Sequence, residues 1–197
     1  QAGKPNTLIR NFTITNGAVE NSNAGLYITD NSPDCKLENL NIVGNNGDGV
    51  YIAGFSSAKF TNCNISDNGL NGLVVWSESS VDLVNTTFAN NGHYGIKMEG
   101  DLAPKSITVS NSIFYDNASA SIRSENGITD IVNVAYTYSD DAFEQISSVV
   151  TFNSENLYDS SVDIKFVEEE VGNYHLVASS FLVNGGHPDS TDANGTR

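Results

Sequence analysis

Cys35-Lys-Leu-Glu-Asn-Leu-Asn-Ile-Val-Gly-Asn-Asn-Gly-Asp-Gly-Val-Tyr-Ile52 overlays Ala58 to Val75 position for position. Leu37 falls on Phe60, Asn39 on Asn62, Ile42 on Ile65, Asn45 on Asn68, Gly49 on Gly72, Val50 on Leu73 and Ile52 on Val75. A further copy carries Leu83, Asn85, Phe88, Asn91, Gly95, Ile96 and Met98 at the same interval. Self-similarity at a short fixed period marks a solenoid. Within each period the apolar residues alternate in twos, not at helical spacing. Each unit therefore reads as three short strands joined by turns.

Extended in both directions, the overlay resolves into rows. Asn11, Asn39, Asn62, Asn85 and Asn111 form one, with Asn133 assigned as its sixth member, at intervals of 28, 23, 23, 26 and 22 residues. Two residues before each lies an apolar (Ile9, Leu37, Phe60, Leu83, Val109, Ile131), and three beyond lies another (Ile14, Ile42, Ile65, Phe88, Phe114, Tyr136). A second asparagine row follows at Asn45, Asn68, Asn91 and Asn117. It is succeeded by the strand pairs Leu26/Ile28, Val50/Ile52, Leu73/Val75, Ile96/Met98 and Ile122. A parallel β-helix satisfies all of this: each coil lies about 4.8 Å from the last, so like side chains stack on like. Asparagine tolerates the left-handed conformation of a sharp turn, and its amides can hydrogen-bond along the axis. The expectation is an all-β right-handed parallel β-helix, about 23 residues per coil, regular over residues 7–138. Irregular C-terminal coils and a tail are expected over 139–197, all within one domain.

Composition narrows the function. The formal charge is −15 and Lys and Arg number only 9. Without a cationic surface to displace phosphate counterions, nucleic acid is an unsuitable partner. Anionic membranes are disfavoured for the same reason, and a polyanionic substrate would need a bridging divalent cation. No apolar run is long enough to span a bilayer. Cys35 and Cys63 fall in different inward rows and read as buried, unpaired thiols. Asn11, Asn64, Asn85, Asn117 and Asn194 open Asn-x-Ser/Thr triplets. Asn11, Asn85 and Asn117 occupy ladder positions, where burial is expected to prevent glycosylation. Residue 1 is Gln, and the chain is expected to be a fragment of a longer protein.

The pattern Leu-x-Asn-x-x-Ile…Asn-x-Gly…Gly-Ile-x-Ile resembles the repeat of the right-handed parallel β-helix proteins of the pectate lyase-like superfamily. Asp163-Ile-Lys-Phe166, Asn173-Tyr-His-Leu176, Ser180-Phe-Leu-Val-Asn-Gly-Gly186 and Asp192-Ala-Asn-Gly-Thr-Arg197 resemble the C-terminal coils of its secreted members. The resemblance implies the fold and an extracellular or cell-surface setting. It does not choose among lyases, hydrolases, epimerases, adhesins and non-catalytic modules, which share that fold.

In that superfamily the sheet built from the Gly-Ile-x-Ile strands commonly binds sugar chains. Its outward residues here form the rows Tyr27, Tyr51, Val74, Lys97, Arg123 and Thr29, Ala53, Trp76, Glu99, Glu125. Sugars stack on flat aromatic faces, and paired ions bind hydroxyls and acids. Tyr27, Tyr51, Trp76, Lys97, Glu99, Arg123 and Glu125 are therefore the candidate glycan-binding residues. Lys97 and Arg123 on adjacent coils repel each other unless Glu99 and Glu125, or a substrate carboxylate, lie between them. A solvated face with cross-coil salt bridges explains the same residues. A catalytic alternative uses Lys97, Arg123, Glu99 and His93. A lyase would use Lys97 or Arg123 to neutralise the uronate carboxylate or to take the C5 proton, and the latter needs a depressed pKa. A hydrolase would need Glu99 and Glu125 about 5–9.5 Å apart across the bond. Gly-His93-Tyr-Gly-Ile-Lys97 is similar to polygalacturonase motifs, but the Asp pairs that accompany those motifs are missing. So is the Asp-Pro-His-Glu string of mannuronan epimerases.

Asp189, Asp192 and Asn194 are candidate Ca²⁺ ligands in a stretch that lacks the bidentate Glu and the length of an EF-hand loop. Asp48, Asp67, Asp140 and Asp141 read as turn formers and solvating charges. The N-terminal stretch shows no obvious capping helix, and the open strand edges of the first coil are expected to meet a preceding coil, a neighbouring domain or another copy of the molecule. The expected function is a structural, adhesive or glycan-binding β-helix module, with a polysaccharide lyase or glycoside hydrolase as the alternative.

Overall fold

The computed structural model describes residues 6–17, 24–76, 78–100, 105–125, 130–141, 149–152, 156–158 and 164–183. Three parallel sheets wind around one core. Sheet A stacks Leu8–Arg10, Cys35–Glu38, Ser57–Thr61, Ser80–Val84, Ser106–Ser110, Ile131–Ala135 and Val149–Phe152. Sheet B stacks Thr13–Ile14, Asn41–Val43, Asn64–Ser66, Thr87–Ala89, Ile113–Tyr115, Tyr138–Ser139 and Leu157–Tyr158. Sheet C stacks Ala24–Ile28, Asp48–Ile52, Leu73–Trp76, Tyr94–Glu99 and Ala120–Ser124. No α-helix occurs among the described residues.

Each strand pairs with its equivalent one coil away, so the sequence rows become physical columns. Leu37 pairs with Phe60, Phe60 with Leu83 and Leu83 with Val109. Ile42, Ile65, Phe88 and Phe114 follow in sheet B, and Val50, Leu73, Ile96 and Ile122 in sheet C. These side chains are buried in one continuous cluster. The Phe88 and Phe114 rings stack with centroids 5.1 Å apart. Cys35 lines up with Ala58, and both cysteines are free and buried.

The two asparagine rows have different physical causes. Asn11, Asn39, Asn62, Asn85 and Asn111 all sit in the left-handed region, with φ of 60°, 52°, 56°, 52° and 50°. They make the corner between sheets A and B, where an ordinary side chain costs about 1–2 kcal/mol. Asn45, Asn68 and Asn91 are buried and take no positive φ. Their amides form an internal ladder: Asn45 Nδ2 donates to Asn68 Oδ1, Asn68 to Asn91 and Asn91 to Asn117, each at 2.9 Å. The other amide hydrogen reaches back a coil; Asn68 Nδ2 donates to Ile42 O at 3.2 Å. The glycine column Gly49, Gly72, Gly95 exists for space. A Cβ there would lie 2.6–2.7 Å from the next coil's carbonyl oxygen. Ser121 takes the place at the last strand of sheet C, where its hydroxyl and N–H bind Asp141.

The sequence assignment slips in the sixth coil. Val109 pairs with Val134 and Ser110 with Ala135, which places Tyr136, at φ 51°, on the corner instead of Asn133. Asn133 pairs with Thr108 and faces outward, and Ile131 is exposed. The three-residue offset is odd and therefore reverses the face of every strand residue. Burying Val132 and Val134 wins over burying Ile131 and Asn133. Asn11 is also exposed, contrary to the expectation of burial, and so is Phe12, although its equivalents in the next two coils, Leu40 and Cys63, are buried. Asn11 and Phe12 lie in the first described coil, which has a neighbour on one side only.

Two features were not read from the repeat. Ser32, Ser56, Ser79, Lys105 and Asp130 form a buried polar column. Lys105 Nζ lies 3.0 Å from Asp130 Oδ1 and 3.2 Å from Gly100 O, and Ser124 Oγ donates to Asp130 Oδ2 at 2.8 Å. Beyond the coils, Phe166–Glu168 and Asn173–Leu176 form an antiparallel hairpin around a 3₁₀ turn, Glu169–Val171. Ile164, Phe166 and Tyr174 bury Ala89 and Tyr138 of sheet B, with Ile113 and Tyr115 packed alongside. Tyr174 Oη donates to Asp67 Oδ1 at 3.1 Å, which ties the hairpin to the third coil.

Candidate functional site

On the outer face of sheet C, strand pairing fixes both outward columns. Tyr27 pairs with Tyr51, Tyr51 with Val74, Val74 with Lys97 and Lys97 with Arg123. Trp76 pairs with Glu99, and the Glu125 N–H bonds Met98 O in the same progression. The sequence-derived rows are thus brought together as one strip across five coils.

Aromatic rings occupy its N-terminal half. The Tyr27 and Tyr51 centroids lie 5.3 Å apart, and those of Tyr51 and Trp76 lie 6.4 Å apart at 30°. Coil stacking sets this spacing, because each ring comes from a successive strand. The Trp76 side of the run is open, at 39 % exposure. Val74, although on the outward column, is only 1 % exposed. It forms a low floor between Tyr51 and Lys97, its neighbours in the column.

Ions occupy the C-terminal half. Lys97 Nζ lies 2.5 Å from Glu99 Oε2 and 3.2 Å from Glu125 Oε1. Burial alone would lower the Lys97 pKa, but hydrogen bonds and charge from both glutamates outweigh it and raise it. The ammonium is thereby held protonated, the reverse of what a lysine base needs. Arg123 makes no ion pair with a described residue. Asp48, at the edge of the strip, accepts from the N–H and the side-chain amide of Asn71 at 3.0 and 2.8 Å. Burial first, and then the Glu99 charge, push its pKa up against those bonds. Burial followed by Glu99, Tyr27 and Asp48 pushes Tyr51 to about 12. Aromatic and ionic halves are therefore in electrostatic contact.

A family model described as a right-handed β-helix region matches residues 2–164. The chain belongs to the right-handed β-helix family. No curated protein and no solved structure matches it. Family membership settles the fold and leaves the chemistry of this β-helix to its own residues.

Other sequence candidates are more dispersed. His93 is exposed and meets Tyr94 edge to face at 6.4 Å, without a hydrogen bond to the Lys97 cluster. Asp189, Asp192 and Asn194 lie outside the described residues. No cluster of three or more metal-ligating side chains occurs among the described residues. Asp67, Asp140 and Asp141 are structural acceptors instead of solvated charges. Asp67 holds Asn90 and Tyr174, Asp140 accepts from Asp116 N at 2.6 Å, and Asp141 accepts from Ser121 and Ser139. Sequence reasoning left Asp48 out of the strip, although it stands one residue before Gly49 at the start of its own sheet C strand, Asp48–Ile52, and so next to the strip.

Proposed function

We propose that this β-helix is a non-catalytic carbohydrate-binding module, displayed outside the cell or on its surface, that holds a glycan along the outer face of sheet C. The supporting observation is the aromatic run Tyr27–Tyr51–Trp76 leading directly into Lys97, Glu99 and Glu125. Rings from successive coils offer a flat apolar track to sugar faces. The ions beyond it offer acceptors and a donor to hydroxyls. Against the lyase and hydrolase alternatives stands the same cluster: its lysine is held charged, and both glutamates are committed to one ammonium.

Titration calorimetry across a glycan panel tests this function. Trp76→Ala and Tyr51→Ala should each weaken binding by roughly 2- to 10-fold, the equivalent of losing one aromatic contact. Unchanged binding in both variants would remove the function from this face. Incubation with pectin or alginate should release neither reducing ends nor ultraviolet-absorbing unsaturated products, with or without Ca²⁺.

A second function, self-association, is carried by the first described coil. Leu8 and Phe12 are 50 % and 63 % exposed there, beside three strands paired on one side only. The proposed occupant is a second copy. Light scattering over a concentration series should show mass rising with concentration, and Phe12→Ser should reduce the rise. A monomer at every concentration excludes it.

A further inference from the structure

We propose that the strip on sheet C takes an uncharged polysaccharide and rejects uronic acid chains. This rests on the glycan-binding function above and adds the substrate class. The argument begins at the Lys97 ammonium, the cation nearest the aromatic run. Glu99 and Glu125 already engage it at 2.5 and 3.2 Å. A uronate carboxylate reaching it would have to displace one of them or sit against both. Like charges a few ångströms apart repel strongly where the surface is partly desolvated, and the Lys97 and Glu99 side chains are only 21 % and 20 % exposed. Asp48 adds a third acidic group that senses both Lys97 and Glu99. The strip thus sets two cations against three carboxyl groups, in a chain of net charge −15.

Hydrogen-bond chemistry points the same way. An ionised carboxylate is an acceptor only, so the acceptor sites of Glu99 and Glu125 that do not face Lys97 need donors. Sugar hydroxyls supply donors; uronate carboxylates supply more acceptors. Arg123 is the cation that could still receive an acid. It lies one coil beyond Lys97 and three beyond Tyr51, away from the aromatic track. A uronate held there would have no ring beneath the same sugar.

The experiment measures affinity for cellohexaose and mannohexaose against hexagalacturonate, each in EDTA and in CaCl₂. At least one neutral hexasaccharide should bind tenfold or more tighter than hexagalacturonate in both buffers. The double variant Glu99→Gln/Glu125→Gln, checked for native circular dichroism, frees Lys97 and should narrow or reverse that ratio. If the double variant fails to fold, Glu125→Gln alone, at the 46 % exposed glutamate, should move the ratio in the same direction. Hexagalacturonate binding as tightly as the neutral chains, with both lost in Trp76→Ala, would overturn the selectivity and keep the binding face. A ratio that both glutamine variants leave unchanged would also overturn it. Neutral chains that do not bind, or bind identically to Trp76→Ala, would overturn the face itself.

Discussion

Single residues in this β-helix carry unequal weight, and the repeat does not show which. Lys105 sits in the loop that interrupts the period, yet it is 1 % exposed and is matched to Asp130 at 0 %. Breaking a buried ion pair from one side strands the other charge and costs about 3–5 kcal/mol. Lys105→Met should therefore lower unfolding free energy in urea by about that amount. Lys105→Met/Asp130→Leu should cost clearly less, and a double loss equal to the sum of the Lys105→Met and Asp130→Leu losses would show that the pair is not coupled. Asp48 makes the opposite case. Burial leads the forces that raise its pKa above its ordinary value of 3.8. The folded state then binds the proton more tightly than the unfolded chain, so Asp48 favours folding in acid and this contribution disappears as pH rises through the folded value. Asp48→Asn keeps an acceptor for Asn71 and removes the charge. It should raise the melting temperature at pH 7, with the gain shrinking as pH falls toward 3.8. A gain that is constant with pH would exclude ionisation as its cause.

At the scale of strands and corners, identical residues do different jobs. Asn62 stands at a corner with φ 56°, where its tolerance of the left-handed region matters most. Asn68 stands inside and uses both amide hydrogens, to Ile42 O and Asn91 Oδ1, while its oxygen accepts from Asn45 Nδ2. Asn62→Gly should then be mild, within about 1 kcal/mol. Asn68→Asp keeps the shape but turns two buried donors into acceptors, a loss of about 3 kcal/mol or more at neutral pH. Chemical denaturation of the two variants checks this, and comparable losses would erase the distinction between the rows. The rows themselves were legible because each position is repeated four or five times and stacks on its own kind. The sixth coil was not, because Ile131-Val-Asn-Val134 can be set in two frames: one puts Asn133 on the corner, the other puts Val132 and Val134 inside. Only the burial of Val132 and Val134 selects between them. The sheet C strip was legible as a set of neighbours for the same reason, since register alone fixes which residues adjoin. That Lys97 takes both glutamates depends on side-chain rotamers, which no repeat encodes.

For the molecule as a whole, the hairpin at 164–183 decides how far the solenoid behaves as a line of independent coils. Repeat proteins couple mainly neighbour to neighbour, whereas the Tyr174–Asp67 bond spans 107 residues of sequence. The hairpin was illegible because its contacts occur once: Phe166 meets Tyr115 and Tyr174 edge to face at 5.2 and 5.3 Å, without a stacked equivalent. Its turn also brings Glu169 and Glu170 to a groove of about 470 Å³ shared with Asp67 and Asp116. Apolar packing and the Tyr174–Asp67 bond hold the hairpin down, while the like charges of Glu169 and Glu170 facing Asp67 and Asp116 across the groove work against it, in a protein whose net charge is already −15. Exposed charges are screened over about 10 Å at 0.1 M salt and about 30 Å at 0.01 M. Raising NaCl from about 10 to 300 mM should therefore tighten the hairpin more than the central coils, whose strands are held by backbone pairing and buried apolar columns. Hydrogen exchange read by mass spectrometry separates the two. Protection of peptides covering 166–176 should rise by a larger factor than that of peptides covering 57–66. Glu169→Gln/Glu170→Gln should remove most of the difference. An equal rise in both regions, or a salt response that survives the double variant, would assign the effect to the net charge of the whole chain instead of to this groove.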